Sequence, residues 1–181
     1  LLLAGLLAGC GGGSRPTGIR AAETPADDVA EYQPRWRSHT VDSTQYRKVF
    51  LAGTIDMGRS SDWQAALVAR FRDRIGGRWL FFNPRRREFH ASPAEMEYQV
   101  AWELAHLEAA DLIVMNLLGD SRSPISLLEM GLYARSGKLF VACSPDYYRY
   151  DNVRITCRRY GVPLYDSLTA LLDDLPQQSD E

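Results

Sequence analysis

Apolar positions along the chain fall into short unbroken runs set between longer stretches in which apolar and polar residues recur at helical spacing. The runs KVFLAGTI (48–55), RWLFFN (78–83), LIVMNLL (112–118) and KLFVACS (138–144), with a short one near 162–165, predict about five strands. LIVMNLL has no polar alternation, as expected of a strand covered on both faces. Between the runs, helices are predicted over about 62–75, 93–110, 124–136, 153–160 and 167–175. Their starts carry capping chemistry: Ser61 with Gln64, Ser92-Pro93-Ala94-Glu95, Ser123-Pro124, and Asp166 or Ser167. Strands alternating with helices at this spacing imply an α/β domain, a three-layer open parallel sheet of about five strands.

The pattern stops short of both ends. Residues 11–47 are rich in Gly, Pro, Ala, Ser and Thr and show no sustained apolar period, so they read as a flexible tether; Trp36 and Tyr46 within it are expected to pack back on the domain. The domain is expected over 48–175, with a frayed tail at 176–181. Residues 1–10, LLLAGLLAGC, are almost wholly apolar and too short to span a bilayer at roughly 20 residues per helix. They read as the end of a signal peptide whose start lies outside this sequence. Leu7-Ala8-Gly9-Cys10 resembles a bacterial lipobox, which implies lipidation (palmitate) of Cys10, anchorage to a membrane and, with Gly11 following, the periplasmic face of the outer membrane.

With 21 basic and 23 acidic residues in 181, the chain has no global field for nucleic acid. No nucleic-acid partner is expected. Cys143 and Cys157 either pair in an oxidising compartment or remain buried thiols. The histidines, His39, His90 and His106, are scattered, no Cys/His cluster has ligand spacing, and no metal is expected. The first glycine-containing loop lacks a GxGxxG or Walker pattern, so no dinucleotide or other cofactor is expected.

In such a sheet, ligands bind outside the carboxyl ends of the strands. Three loops leave those ends: GTIDMGRSSD, NPRRREFH and GDSRSPIS. Glu129 lies about one and a half turns into the helix that follows the third, with Tyr133 one turn further on the same face. A carboxylate there is either a solvated residue favoured by the helix dipole or a functional acid. Arg85-Arg86-Arg87 is either a solvated run or an anion site. Tyr147, Tyr148 and Tyr150, followed by Asn152, are either packing residues or contacts to a base, in this subunit or a neighbour.

SPISLLEMGLYARSGK, with VFLAGTI before it and WELAHLEAADLIVMN leading into the third run, resembles the nucleoside 2-deoxyribosyltransferase-like superfamily, especially its divergent bacterial branch. The resemblance covers roughly 48–175 and implies a flavodoxin/Rossmann-like fold and a nucleoside or nucleotide as small-molecule partner; a homo-oligomer is compatible with it. It makes Glu129 the nucleophile that attacks the anomeric carbon and Glu103 the acid that meets the base. By position, Gly53, Thr54 and Asp56 match the loop that holds the sugar. The superfamily carries a further acid six positions before the nucleophile, where this chain has Ser123; Asp120 in the same loop is the expected substitute. A carboxylate nucleophile splits base exchange into two displacements, with transfer to a base or to water as outcomes. Two other functions are compatible: a non-catalytic nucleotide-binding or interaction lipoprotein, such as an immunity or envelope-associated protein, and a glycosidase acting on an NAD-like nucleotide.

Overall fold

In a computed structural model, residues 29–35, 41–74, 77–86, 88 and 92–175 are described, and they form a six-stranded, all-parallel sheet with five α-helices. Strands are β1 (Val29–Tyr32), β2 (Arg47–Gly53), β3 (Trp79–Phe82), β4 (Leu112–Leu117), β5 (Leu139–Cys143) and β6 (Leu164–Tyr165). Helices are α1 (Trp63–Arg74), α2 (Pro93–Ala109), α3 (Pro124–Tyr133), α4 (Tyr150–Tyr160) and α5 (Leu168–Asp174). The sheet order is β1-β3-β2-β4-β5-β6.

The apolar runs are strands because both of their faces are covered. Phe50, Ala52, Ile113, Met115, Leu117, Val141 and Cys143 pack with Leu107 of α2, Met130 of α3 and Val153 of α4. Their neighbours Val49, Leu51, Leu112, Val114, Phe140 and Ala142 pack with Trp63, Leu67 and Phe71 of α1 and Leu171 of α5. Side chains alternate across a strand, so a continuous run feeds two cores at once. This is the three-layer sheet the sequence predicts.

The sequence assigns too few strands. Val29–Tyr32, within the stretch read as tether, pairs in register with Trp79–Phe82 as an edge strand. Four residues of VAEY have no visible period, and a neighbour's free edge completes them. Tyr46 is buried, and Lys48 N donates to the Asp111 carboxylate at 2.8 Å, which ties the start of β2 to the start of β4. The rest of the proposed tether before Val29, Cys10, Trp36, His39, Arg87, His90 and the tail 176–181 lie outside the described residues.

Caps agree with the sequence at α2, where Ser92 accepts from Glu95 N, and at α5, where Ser167 accepts from Ala170 N. They differ at α1, where Asp62 takes the Ala65 N–H and Gln64 is buried, with its carbonyl oxygen accepting from Arg85. Among the described residues no helix is long and apolar enough to cross a membrane.

From β2 the chain leaves toward β3 through α1 on one face. From the adjacent β4 it leaves toward β5 through α3 on the other. The two loops therefore diverge from a crevice between β2 and β4, the kind of switch point at which open α/β sheets bind ligands.

Candidate active site

The floor of that crevice is built by close backbone approach. Gly53 ends β2 with φ +123°, and a Cβ there would stand 2.2 Å from the Asn116 carbonyl oxygen of β4. Only glycine fits. Thr54 N then donates to Asn116 O at 2.9 Å, and the Thr54 carbonyl accepts from Trp63 Nε1 at 2.8 Å. These bonds fix Thr54 with its hydroxyl toward the loop after β4, where it accepts from Leu118 N (3.1 Å) and lies 2.7 Å from Ser123 Oγ.

Ser123 holds the N-cap position of α3 in a left-handed conformation (φ 40°, ψ 54°) and makes no side-chain cap bond. Its hydroxyl turns inward instead, to Thr54 and to Ser121 Oγ at 2.8 Å, and Ser121 Oγ donates to Asp56 Oδ1 at 3.0 Å. An unbroken chain of buried hydroxyls thus runs from Asp56 to Thr54. The expectation that Ser123 caps α3 through its side chain is corrected: two competing hydroxyl partners outbid the helix N–H groups. Ser121 was not singled out in the sequence; its only signal is the Ser-x-Ser spacing with Ser123.

The two candidate acids, on α2 and α3, are near enough for the charge of one to act on the other. Glu129, in the second turn of α3, is 8% exposed, and its pKa is raised to about 8 by burial and then by the charge of Glu103. Glu103, on α2, is also raised, by burial, against the opposing pull of a hydrogen bond from Gln99 and the charge of Arg86. Gln99 Nε2 donates to Glu103 Oε1 at 2.6 Å, and Arg86 Nε donates to Gln99 Oε1. Two carboxyls in one desolvated place favour a retained proton. Tyr133, one turn beyond Glu129, feels its charge as well as that of Glu108; its pKa is raised, with burial first among the causes.

The remaining expected residues differ in exposure and partners. Asp120 is exposed in the turn before Ser121. Asn152 is exposed on the first turn of α4 and, with Arg149 and Thr156, edges a depression of about 330 Å³ floored by Leu127 and Met130; none of Thr54, Asp56, Ser123, Glu103 or Glu129 lines it. Arg85 and Arg86 are neither solvated nor open to an anion. Arg85 is buried against carbonyl oxygens of the loop after β2, and Arg86 donates to Glu95 and Gln99. Of the tyrosines, Tyr147 is buried with its hydroxyl donating to Arg122 O at 2.6 Å, Tyr150 donates to Asp166, and Tyr148 is exposed.

Cys143 and Cys157 are free, buried thiols whose pKa values burial pushes up, to about 12 and about 11. Among the described residues no group of three His, Cys, Asp or Glu is placed to hold a metal ion.

A family model described as "Nucleoside 2-deoxyribosyltransferase like" matches residues 46–147, more than half of the chain, spanning β2 to the loop after β5 and both candidate acids. No curated protein matches the chain.

Proposed function

Because this chain belongs to the nucleoside 2-deoxyribosyltransferase-like family, we propose that it is an enzyme cleaving or exchanging the N-glycosidic bond of a nucleoside or nucleotide, with Glu129 as nucleophile. The observation that carries this reading is the pairing of Glu129 with Glu103, two desolvated carboxyls on separate helices beside the β2–β4 crevice.

In the productive protonation state Glu129 is ionised and Glu103 protonated. The Glu129 carboxylate forms a bond to C1′ as the C1′–N bond breaks, and Glu103 delivers its proton to the departing base. An incoming base or water then attacks C1′, gives its proton to Glu103 and releases Glu129. The two displacements retain configuration. Thr54 and Asp56, fixed by the hydroxyl chain, face the sugar, and Gln99 with Arg86 orients Glu103. The proposal also places the enzyme on the periplasmic face of the outer membrane through a lipid on Cys10; metabolic labelling of the full-length precursor with palmitate, lost in Cys10→Ser, tests that part.

Incubation of the protein with deoxynucleosides, ribonucleosides and their monophosphates, with and without a free base, is expected to release or exchange base. Equal inertness of wild type and Glu129→Ala across the panel overturns the enzyme reading. Ser123, a buried hydroxyl where the resemblance has an acid, favours one alternative, a nucleotide-binding lipoprotein without catalysis. Its signature is nucleotide affinity unchanged in Glu129→Gln in the absence of turnover.

A further inference from the structure

The loop after β2 carries three successive residues with positive φ: Asp56 (49°), Met57 (53°) and Gly58 (81°). Two of them are not glycine, and a left-handed conformation there persists only where the surroundings over-determine it. Met57 is 66% exposed and supplies no anchor. The anchor is underneath. Arg85 rises from the end of β3, where its own N–H is held by Asn83 Oδ1 at 3.0 Å. Its Nη2 donates to the carbonyls of Gly58 (3.2 Å) and Ser60 (2.6 Å), and Nη1 to Ser61 O (3.2 Å) and Gln64 Oε1 (3.3 Å). Asp62, 3.7 Å from Nε, balances the charge.

We propose that Arg85 is a positioning residue, whose guanidinium fork grips the carbonyls of Gly58, Ser60 and Ser61 and so forces the left-handed turn that presents Asp56 to Ser121 and to the substrate. A planar fork with five donors reaches the Gly58, Ser60 and Ser61 carbonyls and Gln64 Oε1 together, whereas a lysine ammonium has three donors on a single atom and cannot serve all four. The substrate half of this inference rests on the proposed function; the grip on the loop does not.

The test uses Arg85→Gln, Arg85→Lys, Asp56→Asn and the double variant Arg85→Gln/Asp56→Asn. Without any substrate, amide hydrogen exchange over 56–61 is expected to quicken by on the order of tenfold in Arg85→Gln while β4 and α3 keep their protection. Unchanged exchange in the loop, or an equal rise across the strands, overturns the inference, as does full recovery of protection by Lys. With a nucleoside that the wild type turns over, Arg85→Gln is expected to raise KM by about tenfold with a smaller effect on kcat, and to add little in the Asp56→Asn background. Additive losses in the double variant also overturn it. An inert wild type defeats the proposed function and leaves the exchange result to decide Arg85.

Discussion

Glu103 on α2 stands near enough to Glu129 on α3 for its charge to add to burial, the larger cause, in bringing the Glu129 pKa to about 8. The proton on Glu129 is therefore held first by burial and second by the neighbouring charge.

The proposed mechanism needs one proton between the two carboxyls. Activity is thus expected over the range in which the pair is singly protonated, with kcat/KM falling above about pH 8. Glu103→Gln is expected to lower kcat by about 10²–10⁴-fold and to reverse the pH dependence. Residual activity should then rise with pH through the Glu129 pKa, which drops below about 8 once one of its two causes is gone. A pH–rate profile of each protein checks both; a descending limb that survives in Glu103→Gln assigns it to another group.

The same shift predicts stability. Glu129 has an ordinary value of 4.5 and a raised value in the folded protein, so the folded state holds the proton more tightly. Its contribution is fully present below 4.5 and is lost as pH rises toward about 8, at up to about 1.4 kcal/mol per pH unit. Glu129→Gln escapes this loss. Urea unfolding at several pH values is expected to show the variant gaining on wild type across that window, and parallel curves would contradict the buried, protonated Glu129.

Ser123 and Thr54 share a bond of 2.7 Å between hydroxyls, each with another partner. Ser123→Ala and Thr54→Val are each expected to cost about 1–2 kcal/mol. The double variant is expected to cost less than the sum by about 0.5 kcal/mol or more, because the shared bond is lost only once. Chemical denaturation of the four proteins of the cycle provides the measurement.

Gly53→Ala sets a Cβ against the backbone of β4, with Asn116 O at 2.2 Å, in a conformation that L-residues rarely adopt. The central pair of strands must part to admit it. A loss of at least about 2 kcal/mol is expected, read as a fall in Tm, and an unchanged Tm would show that the two strands are not held this closely.

The unbroken apolar runs and the caps at Ser92 and Ser167 made the layered architecture and most element positions legible in the sequence, because they are local properties of period and first-turn chemistry. The edge strand Val29–Tyr32 was not legible. Its four residues are in a strand because Trp79–Phe82 offers an unpaired edge, which depends on distant chain. Glu129 was visible from its place after a buried strand, and Glu103 only through resemblance, since nothing in the spacing of α2 shows which helix faces it. Arg85 read as part of a basic run, yet its burial against the carbonyls of Gly58, Ser60 and Ser61 arises from the return of β3 beside β2.

By itself, then, the sequence determined which segments bury two faces and where a carboxylate follows the third long strand, since periodicity and spacing are carried along the chain. Tertiary structure alone decided what each polar group meets. It turned Ser123 from a helix cap into a link between Thr54 and Ser121, left Asp120 and Asn152 exposed, and set two acids close enough for the charge of Glu103 to raise the pKa of Glu129. Hydrogen bonds, burial and charge act across space, between residues 26 positions apart in the case of Glu103 and Glu129 and 69 apart in that of Thr54 and Ser123.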